Sequence, residues 1–164
     1  MVRRIEARAA APVCLAAAVL MLGGCALTVP VDAQHTLEQA RGGTLQVGIS
    51  ANPPWTEIDP GGAVSGSEVE LIGDYAESID AQIEWSPGTE SVLAEQMKQD
   101  ELDIVIAGLT SDAPWTGQMA LTRPYAEAAD PHGGTQQKVM AVRPGENALL
   151  VSLEEHLARE GGEL

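Results

Sequence analysis

Five residues in the middle of the chain have groups that suit the binding of a small solute: Trp55, Gly108, Thr110, Ser111 and Trp115. An indole ring gives a flat apolar face that also attracts cations. Gly108 and Thr110 offer backbone N–H and hydroxyl donors to an anion, and Ser111 follows them directly. The alternative for each tryptophan is packing in a core or an interface, and for Gly108 and Thr110 it is a plain strand-end turn. The chemistry therefore depends on where the fold places these residues.

Three of the five residues follow a strand that the sequence predicts clearly. Residues 103–112 begin with aspartate and run through four unbroken apolar residues into glycine and small polar side chains. This pattern is typical of a buried parallel strand at the point where it ends in a binding crevice. Residues 103–107 are therefore expected to form the strand, and residues 108–112 the mouth of the crevice.

Strands and helices alternate before this strand. Apolar residues alternate over residues 44–49, and residues 82–86 give a second strand. A helical period begins at Ser67, which with Glu70 fits a capping box, and another helix begins after Thr89. Three strands with two intervening helices predict an α/β domain with a mostly parallel sheet and right-handed crossovers. In such a sheet, ligands bind at the carboxyl ends of the strands.

Several segments together carry a resemblance to a known family. They are residues 43–50, 54–55, 66–71, 103–110 and 121–125. In order and spacing they resemble the family 3 extracellular solute-binding proteins, which serve ABC importers of polar amino acids and opines. The resemblance implies the type II periplasmic-binding-protein fold, in which two α/β lobes joined by a hinge close on a ligand.

The chain is too short for the second of these lobes. Residues 138–147 resemble the strand and turn by which the family's chain returns to its first lobe. Only twelve residues, 126–137, separate this segment from Tyr125, and no lobe fits in so short a connection. We therefore expect a single lobe over residues 44–160. Its mostly parallel sheet should have about four strands, flanking helices and one antiparallel returning strand at residues 138–142.

One position departs from the family's pattern. Members that bind amino acids commonly place Glu-Arg shortly after Gly-x-Thr, and the arginine holds the ligand's carboxylate in a bidentate fork. Here Trp115 stands where that arginine would be, and an indole cannot replace a guanidinium. The resemblance implies a small, polar, amino-acid-like solute, but this chain lacks the arginine that would hold its α-carboxylate. An open single lobe should also bind weakly, because half of the enclosing wall is missing.

The first 24 residues are interpreted as an export signal. Arg3, Arg4 and Arg8 precede a mostly apolar run, and residues 22–25 resemble the lipobox of bacterial lipoproteins. That resemblance implies cleavage before Cys25, a diacylglyceryl thioether on its sulfur, and anchoring on the periplasmic or extracytoplasmic face of a bacterial membrane. An ordinary signal peptide with a chance cysteine is the alternative. Residues 25–43 are expected to follow as a flexible tether.

Composition and missing motifs argue against other classes. A net charge of −15 repels nucleic acid. The chain lacks Gly-x-Ser-x-Gly, Gly-x-x-x-x-Gly-Lys, Gly-x-Gly-x-x-Gly and His-Glu-x-x-His, so neither an enzyme nor a cofactor is expected. Glu68 and Glu70 are interpreted as helix-start residues rather than a catalytic pair. His156 and Glu160 are assigned to a solvated helix face rather than a metal site, and His132 to a flexible turn.

Two functions from different classes follow. The first is a substrate-binding lipoprotein, or a truncated relative of one, that delivers a small polar solute to the permease of an ABC-type importer. The second is a single-lobe module of the cell envelope that contacts proteins and carries no transported ligand. A small-molecule role would gain support if two chains formed a homodimer in which each lobe closed the crevice of the other.

Overall fold

A central strand with a parallel neighbour on each side organises the sheet. The computed structural model describes residues 32–130 and 133–161. Its elements, in chain order, are α1 (Thr36–Ala40), β1 (Thr44–Ile49), β2 (Glu57–Ile58), β3 (Val64–Ser65), α2 (Ser67–Ser78), β4 (Gln82–Pro87), α3 (Glu90–Lys98), β5 (Ile104–Ile106), β6 (Ala120–Leu121), β7 (Ala126–Ala129), β8 (Thr135–Lys138), β9 (Ala141–Val142) and α4 (Asn147–Gly161). Strand β1 pairs in parallel with β4 on one side and with β5 on the other.

The returning strand is antiparallel, as expected. Strand β9 pairs antiparallel with β5 and with β6, which gives a five-stranded sheet in the order β4-β1-β5-β9-β6. The predicted α/β lobe with a mostly parallel sheet is therefore confirmed. Two details differ from the expectation. The predicted strand at residues 138–142 divides between β8 and β9, and the short β6 is a fifth strand that the sequence pattern did not indicate.

Helices cover both faces of the sheet. Ile104 and Ile106 of β5 pack in one cluster with the apolar sides of α2 and α4, and Val105 between them packs in a second cluster with α3. All three residues are fully buried, because successive side chains of a strand point to opposite faces. The continuous apolar run of residues 104–107 reflects this double burial.

A β-hairpin forms the connection between Tyr125 and the returning strand. Within the connection predicted at residues 126–137, β7 and β8 pair antiparallel, with Ala126 opposite Lys138 and Ala129 opposite Thr135. A second small hairpin, β2 with β3, follows the crevice end of β1. Both hairpins lie outside the main sheet.

The predicted tether is wrong for residues 32–43. Helix α1 packs against the lobe, and Asp32 forms a β-bridge with Glu146. The Asp32 carboxylate accepts hydrogen bonds from the N–H groups of Ala148 and Leu149 at the start of α4. The carboxylate of Glu146 in turn accepts the Thr36 N–H at the start of α1. Each carboxylate thus caps the other segment's helix, an exchange that local sequence patterns do not reveal.

Two assignments of single residues are also corrected. His156 is only 4% exposed and lies against the Tyr75 ring, at 5.5 Å between centroids, whereas Glu160 is exposed. The Ser67 capping box does not form, because Gly66 is the N-cap of α2 and has no side chain to bond. His132, Cys25, the signal segment 1–24 and residues 26–31 of the tether lie outside the described residues.

None of the helices within residues 32–130 and 133–161 combines the length and the apolar character needed to cross a membrane.

Candidate functional site

Both peptide groups of Gly108, just after β5, are bonded to charged side chains. The Gly108 N–H donates to Glu68 Oε2 at 2.9 Å. The Gly108 carbonyl oxygen accepts a hydrogen bond from Lys138 Nζ at 3.0 Å. Glu68 belongs to the first turn of α2 and Lys138 to the end of β8, so this residue joins three elements at the carboxyl ends of β1 and β5.

Only glycine fits at this position. Gly108 has a φ of 58°, a left-handed conformation that strains other residues. A Cβ atom there would lie 2.7 Å from Asn52 Nδ2 and 2.9 Å from Trp55 Cδ1. Asn52 is itself fixed, because its Nδ2 donates to the Ala107 carbonyl oxygen at 2.8 Å. The absent side chain therefore lets the Trp55 indole pack directly on the strand end.

Glu68 is a buried carboxylate with two internal donors. It is fully buried and accepts the Tyr125 hydroxyl hydrogen at 2.5 Å in addition to the Gly108 N–H. Burial raises the pKa of Glu68, and the hydrogen bonds from Tyr125 and Gly108 and the charge of Lys138 oppose that rise. Burial also raises the pKa of Tyr125, and the negative charge of Glu68 adds to it. Glu68 therefore holds the Gly108 peptide and the Tyr125 hydroxyl from inside the fold, in addition to beginning a helix.

Lys138 brings a positive charge to the same corner. It is 5% exposed, and its Nζ lies 5.1 Å from the centroid of the Trp55 ring, a cation–π contact. Its backbone is held as well, since the Tyr125 N–H donates to the Lys138 carbonyl oxygen at 3.0 Å. Trp55 is half-buried, so the aromatic face predicted for a solute is already shared with a lysine of the chain.

Other donors predicted for a solute bond within the chain. The Gly108 N–H is taken by Glu68, and the Ser111 N–H donates to the Gln137 carbonyl oxygen at 3.0 Å. The Thr110 hydroxyl donates to Asp112 Oδ1 at 2.5 Å, and this bond lowers the pKa of Asp112. Residues 108–111 therefore offer a solute fewer hydrogen-bond donors than their composition indicates.

Trp115 lies with a different part of the fold. Its indole Nε1–H donates to Glu90 Oε2 at 2.8 Å, at the start of α3. Its ring packs against the second core cluster. The structure thus brings Trp55 and Gly108 into contact, with Thr110 and Ser111 continuing the same loop, and places Trp115 on the α3 side.

A polar groove runs beside this loop. It has a volume of about 380 Å³ and lies between residues 111–112 and the β7–β8 hairpin. Carboxylates, amides and hydroxyls line it: Ser111, Asp112, Glu127, Asp130, Thr135, Gln136 and Gln137. Such groups can bond the ammonium and hydroxyl groups of a small solute. In the part of the chain that the structure describes, no group of three or more His, Cys, Asp or Glu side chains could hold a metal ion.

Sequence reasoning missed Glu68, Lys138 and Asn52 as parts of the site. Glu68 fits the ordinary preference for acidic residues in a first helical turn, so its burial left no distinct signal. The sequence pattern indicates Lys138 only as the start of the returning strand. Asn52, in the turn after β1, could have been suspected from its place at a strand end.

The fold is that of one lobe of a periplasmic solute-binding protein. The model of the bacterial extracellular solute-binding proteins, family 3, matches residues 45–159. The chain belongs to that family. A search of curated protein sequences gives no match.

Solved structures agree with the single lobe. The arginine-bound form of domain 1 from TmArgBP, of T. maritima, is 27% identical with a TM-score of 0.65, covering 74% of this chain and 97% of that one. A single-substitution mutant of the same domain is 26% identical with a TM-score of 0.66, covering 76% and 97%. A Salmonella typhimurium periplasmic binding protein with high arginine specificity is 14% identical with a TM-score of 0.62, covering 73% and 94%, and shows the fold alone.

Proposed function

We propose that this protein is the substrate-binding component of an ABC-type importer and that it binds a small, polar, amino-acid-like solute at the crevice end of its lobe. One observation carries the proposal. Domain 1 of TmArgBP, which is 27% identical and is covered over 97% of its length, has an arginine-bound form. A lobe of this size and fold is therefore compatible with a bound amino acid.

Within the site, each predicted residue has a separate role. Trp55 supplies the apolar face, and Gly108 lets that ring pack against the strand end. Thr110 and Ser111 form the loop beside the polar groove, and Trp115 supports the wall through Glu90. Because one lobe encloses a solute on one side only, we expect a monomer to bind weakly and pairing of two chains to strengthen binding.

The cellular setting is a further part of the proposal. The chain is exported to the bacterial envelope, anchored through a lipid on Cys25, and meets a membrane permease there. The lipobox-like residues 22–25 support this setting. A Cys25→Ser variant should leave the membrane fraction and appear in the soluble envelope fraction. Unchanged membrane retention would contradict lipidation at this cysteine.

A second function is favoured by a specific observation. The Gly108 N–H, the Ser111 N–H, the Thr110 hydroxyl and the Trp115 Nε1–H all bond within the chain. Groups that are already bonded have little to offer a transported ligand. A lobe that contacts another envelope protein and carries no solute has no need of free donors in this loop.

A thermal-shift panel separates the two functions. Amino acids, opines and polyamines are added at millimolar concentration, and the proposed function expects at least one to raise the melting temperature. A ligand present at 100 times its dissociation constant stabilises the folded state by about 2.7 kcal/mol. Trp55→Leu should abolish the shift, whereas the matched Trp85→Leu, on β4, should keep it. A flat panel on a chain shown to be monomeric by light scattering would favour the interaction module.

A further inference from the structure

The aromatic face of the crevice already has a cation beside it. Lys138 Nζ lies 5.1 Å from the centroid of the Trp55 ring, within the distance at which an aromatic face attracts a positive charge. The lysine is 5% exposed. Lys138 is therefore a buried side chain and not a surface one. A solute that approaches the Trp55 ring also meets the positive charge beside it.

Several contacts hold this lysine in place. Its ammonium donates to the Gly108 carbonyl oxygen at 3.0 Å. Lys138 is the last residue of β8, where it pairs with Ala126. Its backbone also forms an isolated antiparallel bridge with Thr110. The β7–β8 hairpin therefore holds the ammonium beside the ring.

Among the described residues, neither nearby carboxylate forms a direct ion pair with this ammonium. Both oxygens of Glu68 accept other hydrogen bonds, one from Tyr125 and one from Gly108. Asp112 is exposed and accepts the Thr110 hydroxyl. Lys138 is attracted to both carboxylates, but its own contacts are the Gly108 carbonyl and the Trp55 face.

We propose that Lys138 sets the charge class of the solute: it excludes amino acids with cationic side chains from the Trp55 face and admits those with neutral or anionic ones. The inference rests on the proposed function and narrows it. A guanidinium on this ring would lie beside an ammonium that is only 5% exposed, and water screens the repulsion of like charges less at a buried group than at an exposed one. A carbonyl or carboxylate oxygen would instead meet an N–H donor. The expected solute class therefore differs from the arginine named for TmArgBP domain 1.

Arginine and citrulline test the inference directly, because they have nearly the same shape and only arginine carries a side-chain charge. The full chain, its Lys138→Met variant and its Lys138→Arg variant are titrated with each amino acid by calorimetry. We expect the wild type to bind citrulline about tenfold or more tightly than arginine. Lys138→Met should raise the relative affinity for arginine by about tenfold, and Lys138→Arg should keep the wild-type preference.

Each outcome decides the question. Circular dichroism confirms that the variants are folded, and Lys138→Arg retains the charge if the methionine variant is too unstable to titrate. Equal or tighter binding of arginine by the wild type would overturn the inference, and so would an arginine-to-citrulline ratio that Lys138→Met leaves unchanged. If the thermal-shift panel finds a solute, those results overturn the charge selection alone. A flat panel together with no binding by any variant overturns the proposed function, and the charge selection with it.

Discussion

The two ends of the central sheet both bury a pair of opposite charges, but they arrange the pair differently. At the end away from the crevice, the Arg143 guanidinium bonds directly to Asp103, which precedes β5. At the crevice end, Glu68 and Lys138 are held by the two peptide groups of Gly108, which follows β5. Strand β5 therefore has a direct ion pair before it, and after it two opposite charges that are joined through the Gly108 peptide groups.

The end away from the crevice, called the closed end below, pairs its charges directly. Burial raises the pKa of Asp103, and the hydrogen bond from Gln46 and the charge of Arg143 oppose that rise. Arg143 also donates to the Leu102 carbonyl oxygen and to Gln34 Oε1, both at 3.0 Å. Asp103 accepts the Gln46 N–H at 2.9 Å. At the crevice end, the Lys138 ammonium faces a half-buried aromatic ring instead of a carboxylate. We infer that the closed end contributes to stability, whereas the crevice end keeps a charge where a solute can meet it.

The largest effect should come from breaking the closed end. Arg143→Met leaves Asp103 buried, at 6% exposure, without its cation, and removing one partner of a buried ion pair costs about 3 to 5 kcal/mol. Urea unfolding monitored by circular dichroism measures the loss. Arg123→Met is the matched control, because Arg123 pairs with Glu154 while 77% of its side chain is exposed, and such pairs contribute at most about 1 kcal/mol. Similar losses in the two variants would show that the closed end is not the stabilising one.

An intermediate effect should follow at the crevice end from Gly108→Ala. The left-handed φ and the close approach of Asn52 and Trp55 should together destabilise the fold by roughly 1 to 3 kcal/mol. The Trp55 ring would also move, which changes tryptophan fluorescence. Gly73→Ala in α2 is the control, since nothing lies within 4 Å of the added atom and alanine favours a helix by up to about 1 kcal/mol over glycine. A Gly108→Ala protein as stable as the wild type, with unchanged fluorescence, would contradict the need for glycine.

Much of the fold could be predicted because its signals are local. The apolar run of β5, the alternation in β1 and the helical period of α2 each lie within a few residues, and their order identified the family. The docking of residues 32–43 could not be predicted in this way. Asp32 bonds the start of α4 across 116 residues, and β6 is two residues long. Contacts at such separation leave no periodic pattern.

The site was predictable only in part for the same reason. Trp55 and Gly108 were found because crevice residues follow strand ends. The partners that define their chemistry are remote, since Glu68 reaches Gly108 across 40 residues and Tyr125 across 57. A sequence pattern shows which groups are present, but not which of them are already bonded to each other. That is why the donors of residues 108–111 looked available.

The smallest effect, and the sharpest comparison of the two ends, should come from Glu68→Gln. Burial raises the pKa of Glu68 above its ordinary value of 4.5. Between the ordinary and the raised pKa, the folded chain therefore binds more protons at this residue than the unfolded chain does. Its contribution to stability is then greatest below the ordinary value and falls as pH rises through this window. Glutamine keeps the shape, accepts the Gly108 N–H and can donate to the Tyr125 oxygen, so the variant lacks this pH-dependent loss.

Urea unfolding of both proteins from pH 4 to pH 8 measures the difference. We expect the stability of Glu68→Gln to gain on that of the wild type as the pH rises through the window. Glu70→Gln, exposed in the same helical turn, should give a profile parallel to the wild type. If the stability of Glu68→Gln also follows pH in parallel with that of the wild type, then Gly108, Tyr125 and Lys138 stabilise the buried carboxylate as much as water does. The contrast between the two ends would then lie only in the contact of Lys138 with Trp55.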